Sequence, residues 1–348
     1  MSLSKKLPIA IAILIFLLRL ATVNFPQLVD TWYSCLLYPY SQFFLSLIAK
    51  LFFFCSIDEL FLLVILCTSV ILCWKSYKCK NRKQFLQYLG INTIIAFCYI
   101  YCVFNLVWGF NYLRQPFHQH MKIEITTTSI DNYEKVAQKM VTILNELQDC
   151  QFLETELPDN KVNIAIHKTI TSIYPNPVTP PPTKYLFFNE FMNIAGISGI
   201  FLPLFMEPHI NADLLPWERP LVMAHEKAHF HGFASETDAN LVAYIACISA
   251  SQGTLRYSAA LRIFISFSNY LPIDKWKQLA QQLNETTRED IKRWQQRLQR
   301  NRQHYGFFNK LSSQVNNAYL KLNSQQLGIL AYSAALPQFV LWWQQYKK

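Results

Sequence analysis

The first 110 residues are dominated by apolar runs that are longer than the core helices of a small soluble protein need. Residues 7–24 are mostly apolar, with Arg19 as their one charged residue; residues 57–74 are mostly apolar after Asp58 and Glu59, and residues 85–110 form a third apolar run. About 20 apolar residues in a helix cross the roughly 30 Å hydrocarbon core of a bilayer. The pattern therefore predicts three transmembrane helices at these positions.

The segment between the first two runs has a different pattern. Residues 31–55 are rich in aromatic side chains but contain Pro39 and Lys50. A proline removes a hydrogen bond from a helix, and a lysine is costly at the centre of a bilayer. We therefore expect an interfacial or re-entrant segment there.

The rest of the chain is mostly helical in pattern. Residues 129–149 and 273–304 carry apolar positions at helical spacing, the second of them in a long, highly charged segment. The β-prone stretch 200–211 is interrupted by Pro203, so it can supply at most an edge strand. The apolar run 327–343 is short for a span, which favours a packed core helix over a fourth crossing.

The distribution of charge supports a membrane half and a separate domain. The net charge is +10, with 10 Lys/Arg against 3 Asp/Glu in residues 1–114 and 22 against 19 in residues 115–348. The basic cluster from Lys75 to Lys83 lies between two apolar runs, as in cytoplasmic loops. Three crossings with the N-terminus inside place residues 115–348 outside the cytoplasm. No nucleic-acid-binding motif is present, so we expect the bilayer, and no nucleic acid, as a partner.

The segment from His225 to His229 has the pattern HExxH. Residues four apart lie on one face of a helix, so His225 and His229 can bind one Zn²⁺ while Glu226 acts on the metal-bound water. Pro220 suits the first turn of this helix, and Gly232 can end it in a left-handed conformation. Two unrelated histidines on a surface helix are the alternative. The chain has no CxxC pair, so a thiolate zinc site is not indicated.

A second helix that begins at Ser235 offers the third ligand. Asp238 can close a capping box with Ser235, whereas Glu236 has no such structural role and is the preferred ligand. Asp238 remains the other candidate. Asn240 lies on the same face as Glu236 and can hold a ligand histidine by its free ring nitrogen.

Three stretches resemble an uncharacterised family of bacterial membrane proteins, the domain-of-unknown-function 3810 family: residues 104–114, 199–211 and 225–247. The most specific match is HExxHxxGFxxExxAN, which ends at Asn240. HExxH followed by ExxxN also resembles the gluzincin arrangement, although the gap before Glu236 is short for that class. The resemblance implies a zinc-metallopeptidase-like domain behind N-terminal membrane helices. It implies no substrate.

The fold class that we predict is a mainly α membrane protein with two parts. Residues 1–114 form the membrane anchor, with about three transmembrane helices and the interfacial or re-entrant segment. Residues 115–348 form an extracytoplasmic, mostly α, zincin-like (α+β) domain with a small edge strand or sheet before the HExxH helix. The protein is thus expected to be a multi-pass membrane protein.

The predicted activity is hydrolysis of peptide bonds in a peptide or protein substrate by a zinc-activated water, with Glu226 as general base. Asn211 can hydrogen-bond a substrate beside the edge strand, and His231 is expected on the surface or facing the substrate. Candidate transition-state donors are Tyr257, His209 and Tyr305.

Two other functions are weighed against this one. An intramembrane protease is disfavoured, because charged residues flank the motif. A non-catalytic membrane sensor or scaffold with a structural or degenerate zinc site stays open, and a fourth protein ligand would favour it.

Overall fold

The computed structural model describes residues 3–51, 57–78, 81–150, 152, 157–323, 325 and 327–347, and it is mainly helical. Residues 52–56, where the predicted interfacial segment ends, lie outside this described part. The N-terminal elements are α1 (Leu3–Thr22), α2 (Pro26–Leu28), a π-helix (Val29–Leu37), α3 (Tyr38–Leu51), α4 (Ile57–Lys78), α5 (Arg82–Val107) and a 3₁₀-helix (Gly109–Leu113).

The remaining elements are helices and the strands of a small sheet. The helices are α6 (Phe117–His120), α7 (Ile130–Glu146), α8 (Asp159–Ile170), α9 (Asn189–Ala195), α10 (Arg219–Phe230), α11 (Glu236–Ile248), α12 (Gly253–Ser266), α13 (Ile273–Gln281), α14 (Glu285–Leu322) and α15 (Ala331–Tyr346), with 3₁₀-helices at Phe267–Asn269 and Gly328–Leu330. The strands are β1 (Lys184–Tyr185), β2 (Gly199–Leu202) and β3 (Glu207–Ile210).

One helix of the described chain, α5, is long and apolar enough to cross a membrane. The helical stretches Lys6–Thr22 and Pro26–Leu51 pass the same test together, but the chain bends by 117° between them. If that bent pair is one span, there are two candidates. Length and composition therefore give one or two candidate membrane helices.

Helix α3 has its polar side inward. Tyr38, Gln42 and Ser46, spaced four residues apart, are buried against the rest of the protein. The opposite side exposes large apolar side chains, among them Phe43, Phe44, Leu47 and Ile48. This is the reverse of a helix on the surface of a water-soluble domain.

The core is built around α11, whose residues from Thr237 to Ile248 are all buried except Asn240. Small side chains at Ala239, Ala243 and Ala246 allow the neighbouring helices α8, α10, α12 and α15 to approach closely. Helix α15 buries Leu336, Phe339 and Val340 in this core, as predicted for a packed helix.

The sheet has the order β1-β3-β2. Strand β2 pairs antiparallel with β3, with Ile200 opposite His209, and β1 adds to the other side of β3 in parallel. Strand β2 ends one residue before Pro203 and lies at the edge of the sheet. The predicted edge strand is therefore present, while β1 is too short to have a sequence pattern.

The single charged helix predicted over residues 273–304 is wrong. Helix α13 ends at Gln281, and α14 begins after Asn284, whose side chain accepts a hydrogen bond from the backbone N–H of Thr287. A short amide side chain at this position caps a new helix. Helix α14 then runs to Leu322, well beyond the predicted end.

Candidate metal centre

The helices α10 and α11 are joined by a tight reversal of the chain. Gly232 adopts φ = +81°, a left-handed conformation that suits glycine after the end of a helix. A Cβ there would also lie within 3.0 Å of the Tyr38 ring, so only a glycine lets this turn pass so close. The reversal returns the chain beside α10 and brings the first residue of α11, Glu236, next to the histidines.

Three donor atoms meet between these two helices. His225 Nε2 lies 3.2 Å from His229 Nε2 and 3.1 Å from Glu236 Oε2, and His229 Nε2 lies 3.7 Å from the same oxygen. Within the described chain, this His-His-Glu group is the one set of three His, Cys, Asp or Glu side chains that can hold a metal ion.

The donor triangle fits a zinc ion. Zinc binds imidazole nitrogen and carboxylate oxygen at about 2.0–2.2 Å in tetrahedral geometry, which places the donor atoms about 3.3 Å apart. The three observed separations lie around that value. The two side chains that follow the HExxH spacing and the glutamate from the next helix thus have the chemistry and the spacing of a zinc site.

The histidines and the glutamate also form a strongly coupled charge cluster. Burial lowers the pKa of His229, but the carboxylate of Glu236 offsets this and raises the pKa to about 9. Burial raises the pKa of Glu236, but His229 and His225 hold it well below its usual range. Glu236 is therefore ionised, as a metal ligand must be.

Glu226 lies beside this cluster on α10 and is only 4% exposed. Burial raises its pKa to about 7, against the opposing effect of the two histidines. A backbone hydrogen bond with Phe201 of β2 holds the carboxylate at the edge of the sheet. A carboxyl group with this pKa can both accept and donate a proton near neutral pH.

Close approach of β2 to Glu226 depends on a glycine. A Cβ at Gly199 would lie 2.9 Å from Glu226 Cδ and nearer still to its Oε1. Contacts of this length are not tolerated, so any other residue would displace the carboxylate. The edge strand therefore sets the position of Glu226.

The two acidic candidates for the third ligand have separate positions. Glu236 contacts both histidines, whereas Asp238 Oδ1 accepts a hydrogen bond from the backbone N–H of Phe117. Burial raises the pKa of Asp238 to about 6. Ser235 is the N-cap residue of α11, but its side chain makes no capping hydrogen bond, so the predicted capping box is wrong. Asp238 bonds the backbone of Phe117 instead.

The predicted role of Asn240 behind a ligand histidine is also not found. His229 Nδ1 is held by the backbone carbonyl of Phe233 at 2.8 Å. His225 Nδ1 has no hydrogen-bond partner in the part of the chain that the structure describes. Asn240 lies in the wall of the adjoining cavity. The backbone carbonyl of Phe233 thus holds the outer ring nitrogen of His229, a contact that the sequence predicts for the Asn240 side chain.

Other predicted residues lie away from the donor cluster. The Asn211 amide donates to Asn193 Oδ1 and to the Ile197 carbonyl, so it holds the loop before β2. His231 is buried, 5.4 Å from the His167 ring between centroids, and is not on the surface. The predicted donors make structural contacts: Tyr257 with Asp290, His209 with Glu207, and Tyr305 with Glu190.

The C-terminal end of α10 is held by the N-terminal part of the chain. Four side chains from residues 38–114 hydrogen-bond the last carbonyls of this helix and its turn. Trp108 donates to His229, Tyr38 and Gln42 donate to Phe230, and Arg114 donates to His231. Helix ends leave such carbonyls without intrahelical partners, so these donors fix the helix directly at its second histidine.

The middle of α10 is held from the opposite side by a buried cation. Lys227 is 0% exposed, and its ammonium lies 2.5 Å from Asp159 and 2.7 Å from Asn163 on α8. Asp159 also accepts hydrogen bonds from Thr183 just before β1. Helix α10 is thus tied to both α8 and the sheet by a lysine within the HExxH motif.

A cavity of about 810 Å³ opens onto the donor cluster. One wall is the edge strand β2, another is α14 with Val315, Asn316 and Tyr319, and a third contains Trp108 and Tyr112. Tyr112 and Tyr319 hydrogen-bond each other through their hydroxyls at 3.2 Å. These cavity residues were not predicted from the sequence, because they come from segments about 120 residues before and 80 residues after the motif, and no local pattern marks them.

The chain matches the family described as protein of unknown function (DUF3810) over residues 33–338. No curated protein and no solved structure matches it. The matched range runs from the π-helix to α15 and includes both helices of the donor cluster. The resemblance found in the sequence is confirmed: the chain belongs to the DUF3810 family.

Proposed function

We propose that this protein is a membrane-anchored zinc metallopeptidase. The observation that carries the proposal is the donor triangle of His225, His229 and Glu236, with a separate buried carboxyl group, Glu226, beside it. Structural zinc sites are closed by four protein ligands, whereas catalytic sites use three and keep one position open. No fourth His, Cys, Asp or Glu joins the triangle among the residues that the structure describes, which favours catalysis over a scaffold.

The residues divide the chemistry between them. A zinc ion on the three donors would lower the pKa of a coordinated water towards about 7. Glu226 is the base that takes a proton from the attacking water, and it then delivers that proton to the leaving amine. The cavity supplies two phenol groups, Tyr112 and Tyr319, as candidate donors to the developing oxyanion.

The substrate is proposed to bind along β2. This strand pairs with β3 on one side, and its residues Gly199 to Leu202 line the cavity on the other. An extended peptide can pair with the backbone of an exposed strand edge. Such pairing would bring a peptide bond past Glu226, which already contacts the backbone of Phe201. An apolar lining, including Leu221 and Val222, fits a substrate with apolar side chains.

The membrane arrangement that we propose has three crossings, α1, α4 and α5. Arg19 near the end of α1 hydrogen-bonds Asn105 near the end of α5 at 2.5 Å, so these two helices run in the same direction. Helix α4 exposes apolar side chains such as Val64 and Val70 and ends in Lys75 and Lys78. A basic end between α4 and α5 is typical of the cytoplasmic side. The catalytic residues would then lie outside the cytoplasm.

The inverted polarity of α3 supports insertion at the membrane. Its polar side chains bond to the protein, and its aromatic and aliphatic side chains face outward. Such an outer face is stable against lipid and unfavourable in water. We propose that α3 lies in the interface, as its composition indicates.

Zinc content and proteolysis of the full-length protein in detergent or nanodiscs test the activity. We expect one zinc per chain and cleavage of a peptide library by the wild type. Glu226→Gln should keep its zinc and lose activity by about 10²–10⁴-fold, the usual contribution of a general base. His229→Ala should lose zinc and activity together.

Two surface variants control for the substitutions. Glu289→Gln and His304→Ala change the same residue types at exposed positions of α14. They should behave as the wild type. Full activity in Glu226→Gln would contradict the mechanism, and zinc content in His229→Ala equal to that of His304→Ala would contradict the ligand set. Zinc binding without any cleavage by the wild type would favour the scaffold function.

A further inference from the structure

Helix α14 changes its character at about its midpoint. Residues 285–304 contain many charges of both signs, whereas residues 305–322 contain Lys310 and Lys321 as their only charged residues. The chain has no Asp or Glu after Asp290, while residues 291–348 contain nine Lys and Arg. The C-terminal part of the protein is therefore uniformly basic.

The second half of α14 carries an exposed apolar stripe. Phe307, Leu311, Val315 and Leu322 are 76%, 49%, 63% and 84% exposed. Their spacing of four, four and seven residues places them on one face of the helix. Single exposed apolar residues are ordinary on a protein surface, but a continuous stripe over four turns marks a contact with something apolar.

This stripe lies next to the proposed transmembrane helices. The Arg19 guanidinium of α1 lies 3.5 Å from the Asn323 side-chain oxygen, one residue past the end of α14. Tyr319 bonds Tyr112, which follows α5 by five residues. The end of α14 is thus fixed to the same ends of α1 and α5 that reach the outer side of the bilayer in the proposed topology.

The stripe also borders the cavity. Val315 and Tyr319 are exposed and at the same time line the cavity wall. The opposite wall contains Trp108, the first residue after α5, whose ring centroid lies 6.3 Å from that of His229. The donor cluster is therefore separated from the end of a proposed span by one aromatic side chain.

We propose that residues 305–322 form a lipid-contacting helix that lies on the bilayer, so that the mouth of the cavity opens at the membrane surface. The inference rests on the proposed insertion of α1 and α5, and it depends on neither zinc nor catalysis. The apolar stripe enters the interface, and Lys310 and Lys321 reach anionic headgroups from its flanks.

A second copy of the chain fits this face less well. In a dimer through this face, residues 305–322 of both copies would meet. Their only charged residues are Lys310 and Lys321, so like charges would face each other. A bilayer with anionic lipids has the complementary charge. In the proposed topology it also surrounds α1 and α5, which lie next to this face. For the proposed peptidase, the consequence is a preference for peptide segments that lie close to a membrane anchor.

Photocrosslinking of the full-length protein in nanodiscs containing phosphatidylglycerol tests this inference. Benzoylphenylalanine replaces Phe307 on the stripe, Phe97 on the outer face of α5, or Gln299 on the charged half of α14. All three positions are exposed, so each substitution should leave the fold intact. We expect lipid adducts, detected by mass spectrometry, at positions 307 and 97 and none at position 299.

Three other outcomes would each overturn the proposal. Lipid adducts at 97 without adducts at 307 would overturn the lipid contact of α14 while keeping the membrane anchor. A protein dimer crosslinked through position 307 would show that a second copy covers the stripe, and this also overturns the proposal. Absence of adducts at 97 would remove the membrane insertion on which the inference rests, and the proposal with it.

Discussion

Two regions of this molecule depart from the ordinary distribution of polar and apolar residues in opposite directions. In the α10–α11 pair, polar side chains of the donor cluster such as Glu226 and His229 are almost completely buried. In α3 and the second half of α14, large apolar side chains such as Phe44 and Phe307 are exposed. Both arrangements are unfavourable for a protein alone in water. The zinc ion that we propose would compensate the first arrangement, and the bilayer that we propose would compensate the second.

The two regions are physically connected. The last carbonyls of α10 and of the turn after it accept hydrogen bonds from Tyr38, Gln42, Trp108 and Arg114. The division into an anchor at residues 1–114 and a domain at residues 115–348 stays a prediction, but these contacts cross it. Side chains from residues 38–114, which we propose lie at the membrane, thus position α10.

The largest expected effect comes from the buried arginine at this connection. Arg114 pairs with Asp30 at 2.8 Å, and its side chain is 2% exposed. Arg114→Gln leaves Asp30 buried with one partner fewer, which should lower the free energy of unfolding by about 3–5 kcal/mol. Thermal and denaturant unfolding in mild detergent would measure it. Arg293→Gln, which removes an exposed ion pair with Glu289, should change stability by less than about 1 kcal/mol. Equal effects of the two variants would mean that the regions are not coupled through Arg114.

Substitution of Glu236 tests whether it is a ligand of the proposed zinc ion. Glu236→Gln removes the one charged donor of the triangle, so zinc affinity should fall by more than the roughly 10–100-fold typical of losing a group behind a ligand. Competition titration with a zinc-selective chelator measures the change.

Asp238→Asn is the matched control, two residues further along α11. It should keep wild-type zinc affinity and change the free energy of unfolding by less than about 1 kcal/mol, because the Asn side-chain oxygen can still accept the hydrogen bond from the Phe117 N–H. The reverse result, with zinc lost in Asp238→Asn and kept in Glu236→Gln, would exchange the roles of the two acids.

The local parts of the fold and of the site could be predicted from the sequence. The HExxH spacing, Pro220 and Gly232 define α10 and its end within a few residues, since helix periodicity and turn chemistry act over short distances. Glu236 was preferred because Asp238 had an apparent local role. The structure gives Asp238 a different, long-range partner in Phe117, so the preference rested on an incorrect reason.

The parts that escaped prediction depend on contacts between distant segments. Nothing near Tyr38 or Gln42 indicates that they will bond a carbonyl about 190 residues later. The same holds for two contacts near the site: the backbone carbonyl of Phe233 bonds His229 Nδ1, and Asn193 on α9 bonds Asn211. The predicted roles of Asn240 and Asn211 stay predictions. The break at Asn284 was missed because the charged pattern continues across it.

A third prediction tests whether the edge strand positions the base. Gly199→Ala should displace Glu226 by the bulk of one methyl group, and misplacement of a catalytic group by about 1 Å can lower the rate about 10²-fold. Zinc content should not change, because the atoms nearest to an added Cβ at Gly199 all belong to Glu226. Steady-state cleavage and zinc analysis of the same preparation separate the two effects.

Gly306→Ala, in an open position of α14, is the matched control and should be fully active and slightly more stable. Wild-type activity in Gly199→Ala would mean that β2 can move away without cost.

The smallest expected effect distinguishes the two faces of α3. Gln42 donates to the Phe230 carbonyl, which Tyr38 also contacts, so Gln42→Leu should cost only about 1 kcal/mol of unfolding free energy. Phe43 points the other way and is 55% exposed, so Phe43→Ser should leave stability in detergent unchanged although it replaces an aromatic residue with a polar one. In a soluble helix the order would be reversed, because the apolar residue would be the one that packs. A larger loss for Phe43→Ser than for Gln42→Leu would therefore place protein, and not lipid, against the outer face of α3.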